Sequence, residues 1–200
     1  MSMRIVGGEA KGRRLKHPKT MGTRPVIDRV KTALFDILGE DVEGARFLDL
    51  FAGTGSVGLE ALSRGAEHAT FIEISYQVAA VLRENLRITE LAERAEVIRG
   101  DAFRFLEQPA TEGRQYEIIY IAPPQYQHLA AKALASLDAA SLLAPGGLAV
   151  VQIFPKERGD LDQLVLQHLR QVDERRYGST LLLFYKEGQS QSNEKEDDSL

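Results

Sequence analysis

The 200-residue chain contains no cysteine. That excludes disulfides, thiolate metal sites and a cysteine nucleophile, and it suits a cytoplasmic setting, the expected location. It has no run of 18 apolar residues, so no membrane-spanning helix is expected. The opening MSMRIVGGEAKGRR has no apolar stretch ahead of a small-residue cleavage site, so no secretory signal is expected. Histidine is sparse. His17, His68, His128 and His168 are scattered without ligand spacing, and no metal is expected. There is no internal repeat.

What is present suffices for one full core, since 44% of the residues are hydrophobic. Charge is distributed unevenly. Residues 1–34 carry nine cations against Glu9 and Asp28, a net +7, while the whole chain is -4 and the remainder therefore -11. The cations sit beside glycines rather than on one helical face. A flexible basic arm of this kind can follow a phosphate backbone, so the expected partner is nucleic acid. Arg4, Lys11, Arg13, Arg14, Arg24 and Arg29 are the candidate phosphate contacts.

The chain divides into a basic arm with one helix (residues 1–40), a body (41–187) and a polar, acidic tail (188–200) with no core-forming pattern. Pro25 is expected to open a helix through Leu38, with Val30, Ala33, Leu34, Ile37 and Leu38 on its apolar face and Arg29 and Lys31 off it. From residue 45 strands and helices alternate. FLDLF, HATFIEI, AEVIRG, YEIIYIA and GGLAVVQIF read as strands. SVGLEALSRG, YQVAAVLRENLRI, AFRFLEQ, HLAAKALASLDAA and LDQLVLQHL read as helices. Such alternation predicts an α/β fold with a doubly wound, mostly parallel sheet. QVDERRYG and STLLLFYKE break the rhythm around Gly178-Ser179, which predicts a hairpin and an antiparallel last strand.

Ligands bind such sheets at the carboxyl ends of the strands. The first strand carries Asp49 and ends in a glycine turn, where Gly53, Gly55 and Gly58 give G-x-G-x-x-G. The second ends at Glu73, twenty residues after Gly53, where a carboxylate accepts from ribose hydroxyls. That spacing serves a nicotinamide dinucleotide and S-adenosylmethionine equally. The third ends at Asp101-Ala102, where the acid is either an acceptor for an adenine amino group, a helix cap, or both. The fourth ends in Ala122-Pro123-Pro124-Gln125-Tyr126. Two prolines remove two N–H donors and leave their carbonyls available to a substrate. A dehydrogenase would leave Asp101 and the proline pair unexplained and would need a substrate region that the chain does not show.

The order DLFAGTGSVGLEALSRGA, FIEIS, GDAFRFL, IAPPQY resembles class I S-adenosylmethionine-dependent methyltransferases acting on exocyclic amino groups of bases. RIVGGEAKGRRL and TRPVIDRVKTALFDIL are similar to the RsmD family of small-subunit (16S) ribosomal RNA guanine-N2 methyltransferases, over about residues 3–187. The resemblance implies a Rossmann-like methyltransferase fold of seven strands, the last antiparallel. It implies S-adenosyl-L-methionine as cofactor, with Asp49 and the turn Gly53, Thr54, Gly55 at its methionine part, Glu73 at the ribose, Asp101 and Ala102 at the adenine, and Phe51 and Ile74 also lining it. It implies ribosomal RNA or the small ribosomal subunit as partner, a monomeric protein, and a base placed over Pro123 and Pro124 with Tyr126 stacked on it. The family pattern after the fourth strand is Asp or Asn, then Pro-Pro-Tyr or Phe. Here the acidic position is Ala122 and the aromatic stands one place later, behind Gln125. Three readings follow. The Gln125 side chain replaces the acceptor, or the Pro123 carbonyl suffices at a lower rate, or methyl transfer is lost and the protein is a non-catalytic RNA-binding or assembly factor. An adenine-N6 methyltransferase is a sibling reading, but no insertion resembles a target-recognition domain.

Overall fold

The computed structural model describes residues 3–18, 28–107, 113–124 and 128–188. Seven strands form one sheet in the order β3-β2-β1-β4-β5-β7-β6. The strands are β1 (Arg46–Asp49), β2 (His68–Glu73), β3 (Ala95–Arg99), β4 (Tyr116–Ile121), β5 (Leu143–Ile153), β6 (Leu169–Tyr177) and β7 (Thr180–Glu187). The α-helices are α1 (Asp28–Leu38), which precedes β1, and α2 (Ser56–Ser63), α3 (Tyr76–Thr89), α4 (Ala102–Glu107), α5 (Leu129–Ala139) and α6 (Arg158–Asp162), which lie between strands. β1 to β5 pair in parallel, and β7 is antiparallel to both β5 and β6. The hairpin expected at Gly178-Ser179 is there, with Gly178 at φ 61° and Tyr177 paired to Thr180.

The alternating strand pattern works because the sheet has a core on each face. Phe47, Ile118, Tyr120, Val150, Leu182 and Phe184 point to the face covered by α1, α2, α3 and the arm. Leu48, Ile119, Ile121, Val151, Leu181 and Leu183 point to the face covered by α4, α5 and α6. Each fully buried Leu, Ile or Phe contributes about 1.5–3 kcal/mol relative to exposure. A one-residue slip of any central strand would exchange the two cores. The sheet order reverses between β1 and β4, both of which start new excursions from the middle, so their carboxyl ends open onto the crevice.

Three expectations need correction. The helix predicted over LDQLVLQHL is absent, since α6 ends at Asp162. Asp138, at the end of α5, accepts the backbone N–H groups of Gln167, His168 and Leu169 at 2.7, 2.9 and 2.6 Å. Those donors would otherwise serve a helix. Lys31 does not lie off the packed face but is fully buried, its Nζ 3.2 Å from Glu60 and 2.6 Å from the Arg4 carbonyl. The arm is the third case. Residues 3–18 fold back on themselves, with Ile5 N–H donating to Arg13 and Leu15 N–H to Met3, and they bury Met3, Ile5, Ala10 and Leu15. Pro25 and the tail beyond Gly188 lie outside the described residues.

Candidate active site

After Asp49 the chain turns through the glycine segment into α2. Leu50 N–H donates to the Tyr120 carbonyl at 3.0 Å and Ala52 N–H to the Ile72 carbonyl at 2.9 Å, so the turn is fastened to the ends of β4 and β2. The three glycines play different parts. Gly53 has φ 55°, and a Cβ there would meet nothing within 4 Å. A Cβ on Gly55 would stand 2.2 Å from Leu82 Cδ1, and one on Gly58 2.3 Å from the Phe71 ring. Gly53 therefore lines open space where a ligand can lie against the backbone. Gly55 and Gly58 let α2 close on α3 and β2.

Three carboxylates converge on this opening. Asp49 is 2% exposed and accepts from Gly58 N–H at 3.1 Å. Burial pushes its carboxyl up to about 7; the Gly58 bond opposes this and the charge of Glu73 adds to it. Glu73 accepts from Gly53 N–H at 2.9 Å and from Ser75 N–H at 2.7 Å, one on each oxygen, and so fixes the turn. Each oxygen keeps a lone pair for a hydroxyl. Gly100 N–H donates to the Glu73 carbonyl at 3.1 Å and brings the end of β3 alongside. Asp101 Oδ1 accepts from Phe103 and Arg104 N–H at 2.9 and 3.0 Å, so the capping role is realised by one of its two oxygens.

The walls are apolar. Ile74 is 68% exposed, a large aliphatic side chain held out beside Glu73. Ala102 is buried, and the rings of Phe51 and Phe103 meet edge to face at 6.1 Å. Lys132 Nζ lies 4.2 Å from the Phe103 centroid. Phe103 was not singled out from the sequence, although its place two residues after Asp101 marks it. At the end of β4, Ala122 and Pro123 are half-buried and Pro124 is exposed. Gln125 and Tyr126 lie outside the described residues. Two residues that the sequence reading missed stand on the Asp49 face. Tyr120 is buried, and its hydroxyl donates to Gln152 Oε1 at 2.7 Å. The period-2 rule places Tyr120 on the face of Ala122 and was the available signal.

The arm is clamped to the same site. Glu60, fully buried in α2, accepts from Val6 and Gly7 N–H at 2.9 and 2.7 Å and pairs with Lys31 and Arg64. Asn85 of α3 accepts from Lys16 N–H at 2.7 Å and donates to the carbonyls of Lys16 and Thr54 at 3.1 and 3.0 Å. The arm thus reaches the glycine turn through one side chain. Of the candidate phosphate contacts, Lys11, Arg14 and Arg29 are exposed, and Arg4 is exposed but 3.5 Å from Asp28. Arg13 is committed, bonding the Ile88 carbonyl at 2.6 Å and Glu90 at 3.0 Å. Arg24 lies outside the described residues. Among the described residues no cluster of three or more His, Asp or Glu is set to hold a metal, and no helix is long and apolar enough to cross a membrane.

Residues 3–186 match the family described as "Conserved hypothetical protein 95". Two relatives named "Ribosomal RNA small subunit methyltransferase D" are similar to this chain. That of Haemophilus influenzae is 38% identical over 151 residues, 75% of this chain and 78% of the relative. That of Escherichia coli (strain K12) is 39% identical over 150 residues, 75% of this chain and 74% of the relative. A solved structure of a hypothetical protein from Thermus thermophilus is 36% identical, with a TM-score of 0.75 over 90% of this chain and 97% of that one.

Proposed function

This chain belongs to the family described as "Conserved hypothetical protein 95", and we propose that it methylates the exocyclic N2 amino group of a guanine in small-subunit ribosomal RNA. It is a methyltransferase, and S-adenosylmethionine is its cofactor. The observation that carries the reading is the meeting of Asp49, Gly53, Glu73 and Asp101 at the strand ends beside Pro123 and Pro124. The residues fit the cofactor. Asp49 is a buried carboxylate suited to the methionine ammonium, with Phe51 and Thr54 beside it. Glu73 suits a ribose diol and Asp101 an adenine amino group. Ile74, Ala102 and Phe103 give a flat base apolar neighbours.

S-adenosylmethionine, when bound, supplies a methyl group made electrophilic by its sulfonium sulfur. The protein's task is to aim a poor nucleophile, because the guanine N2 lone pair is delocalised into the ring. The Pro123 carbonyl accepts one N2–H, and the Gln125 side-chain carbonyl takes the place of the acid absent at Ala122. Drawing both hydrogens aside turns the lone pair toward the methyl carbon. Positioning of this sort is worth about 7–11 kcal/mol at best, and one lost polar contact to developing charge costs about 2.7–4 kcal/mol. Tyr126 stacks on the base once it leaves its helix. Lys11, Arg14 and Arg29, with Arg4 and Arg24, contact phosphates.

Incubation of the protein with labelled S-adenosylmethionine and small-subunit ribosomal RNA, free or in the subunit, tests the reading. N2-methylguanosine in the digest supports it. RNA binding without methyl incorporation selects the assembly-factor reading, which Ala122 favours. Gln125→Ala is expected to abolish methylation with cofactor binding intact, and full activity in that variant sinks the role given to Gln125.

A further inference from the structure

The polar row that begins at Asp49 continues across the sheet. Tyr120 pairs with Asp49 across β1 and β4, and Ile121 pairs with Val151 across β4 and β5. One step further along the same register, Ala122 stands beside Gln152, and alternation puts both on the face of Tyr120. Ala122 offers no polar atom. The half-buried amide of Gln152 is then the polar group that the register sets beside the Pro123-Pro124 turn.

The direction of that amide is fixed. The Tyr120 hydroxyl, in a residue only 2% exposed, has one hydrogen and gives it to Gln152 Oε1 at 2.7 Å. Burial, and then the charge of Asp49, hold the phenol well above its ordinary value of 10, so it remains a donor. With the oxygen held by Tyr120, the amide N–H2 is the end left for a ligand, and no bond from Nε2 occurs among the described residues. On guanine, N2 lies between N1–H, a donor, and N3, an acceptor. An enzyme that brings this edge inward meets one ring acceptor there, and it needs a donor to meet it.

We propose that Gln152 is a base-recognition residue whose Nε2 donates to N3 of the target guanine, with Tyr120 as the positioning residue that orients the amide. The inference rests on the guanine-N2 reading above, and its test separates the two. Wild-type protein is first assayed on small-subunit ribosomal RNA or subunits. Absence of N2-methylguanosine overturns that reading and this one with it. Where the product forms, Gln152→Ala lowers kcat/KM for RNA about ten- to a hundred-fold, the range of a lost buried hydrogen bond, while cofactor affinity by calorimetry is unchanged. Gln152→Glu, which presents an acceptor, fails to restore the rate. Tyr120→Phe keeps the ring and loses about three- to ten-fold. A structural role is separated by the substrate. RNA carrying 3-deazaguanosine at the mapped position slows the wild type as much as Gln152→Ala does and slows Gln152→Ala no further. Normal kcat/KM in Gln152→Ala, full activity in Gln152→Glu, or an equal 3-deaza penalty in both proteins overturns the inference. Should the alanine variant not fold, an absent 3-deaza penalty in the wild type does so alone.

Discussion

Replacing Asp49 by Asn removes a carboxyl that burial has pushed up to about 7. In the unfolded chain the same group titrates near 4. The folded state therefore holds this proton more tightly than the unfolded state does. Between about pH 4 and pH 7 the unfolded chain binds fewer protons, so stability falls as pH rises through that window and is level above it. Three units at 1.36 kcal/mol each put the penalty at about 4 kcal/mol as a ceiling. The asparagine carries no charge, and its oxygen can still accept from Gly58 N–H. The cofactor-free variant is thus expected to match the wild type below about pH 4 and exceed it at pH 8, by up to about 4 kcal/mol. At roughly 2–4 °C per kcal/mol for a chain of this size, calorimetric Tm values resolve the difference easily. Cofactor affinity moves the other way. With Asp49 in its proposed place at the methionine ammonium, the ionised carboxyl is the binding form, so wild-type affinity is expected to rise with pH up to about 7, with proton release visible as a buffer-dependent binding heat. The Asn variant binds weakly and without that slope. Parallel wild-type and variant stability curves across pH 4.5–8 would refute the assignment of strain to the buried charge.

The glycine turn gives a paired test. Gly58→Ala drives a methyl group into Phe71 and is expected to cost about 1–3 kcal/mol in urea unfolding. Gly53→Ala meets open space, costs about 1–2 kcal/mol for its φ alone, and loses cofactor binding in calorimetry. In the buried pair, Glu60→Ala is expected to cost about 3–5 kcal/mol, more than Lys31→Met, because Glu60 also serves Val6, Gly7 and Arg64. Equal costs in denaturant melts would contradict that ranking. Replacing Lys11, Arg14 and Arg29 together by Ala is expected to reduce the slope of log K against log salt for RNA binding by about 2–3, while an Arg13→Ala control, already spent on Ile88 and Glu90, moves it little.

The sheet was legible in the sequence because nearly every central strand alternates between two cores, and such a pattern has one register. The missing helix after α6 was not legible. Its apolar spacing is helical, but the donors it needs are taken by Asp138, some thirty residues earlier in the chain. Lys31 failed for a related reason. Periodicity within α1 describes that helix against water on its far side, whereas the arm closes over that flank and supplies the Arg4 carbonyl as a partner.

The site follows the same division. Topology places Asp49, Glu73 and Asp101 at adjacent strand ends whatever else happens, so their convergence is readable from strand order alone. The backbone bonds that occupy Glu73 and Asp101 are not, because a carboxylate at a strand end looks the same whether it caps a turn or waits for a ligand. Here the capping bonds are present, and joined to the proposed ligand roles they have a physical consequence. Glu73 holds Gly53 in place with the same group proposed above for the ribose, and Asn85 ties the Thr54 carbonyl to Lys16 of the arm. The glycine turn therefore has its geometry set from two sides, by the acid proposed to meet the ribose and by the segment proposed to meet RNA. Composition suggested a loose basic arm. The bonds of Glu60 and Asn85 instead fasten that arm to α2 and α3. A phosphate contact at Lys11 or Arg14 would then act on a segment joined to the Thr54 carbonyl through Lys16 and Asn85, not on a free tether.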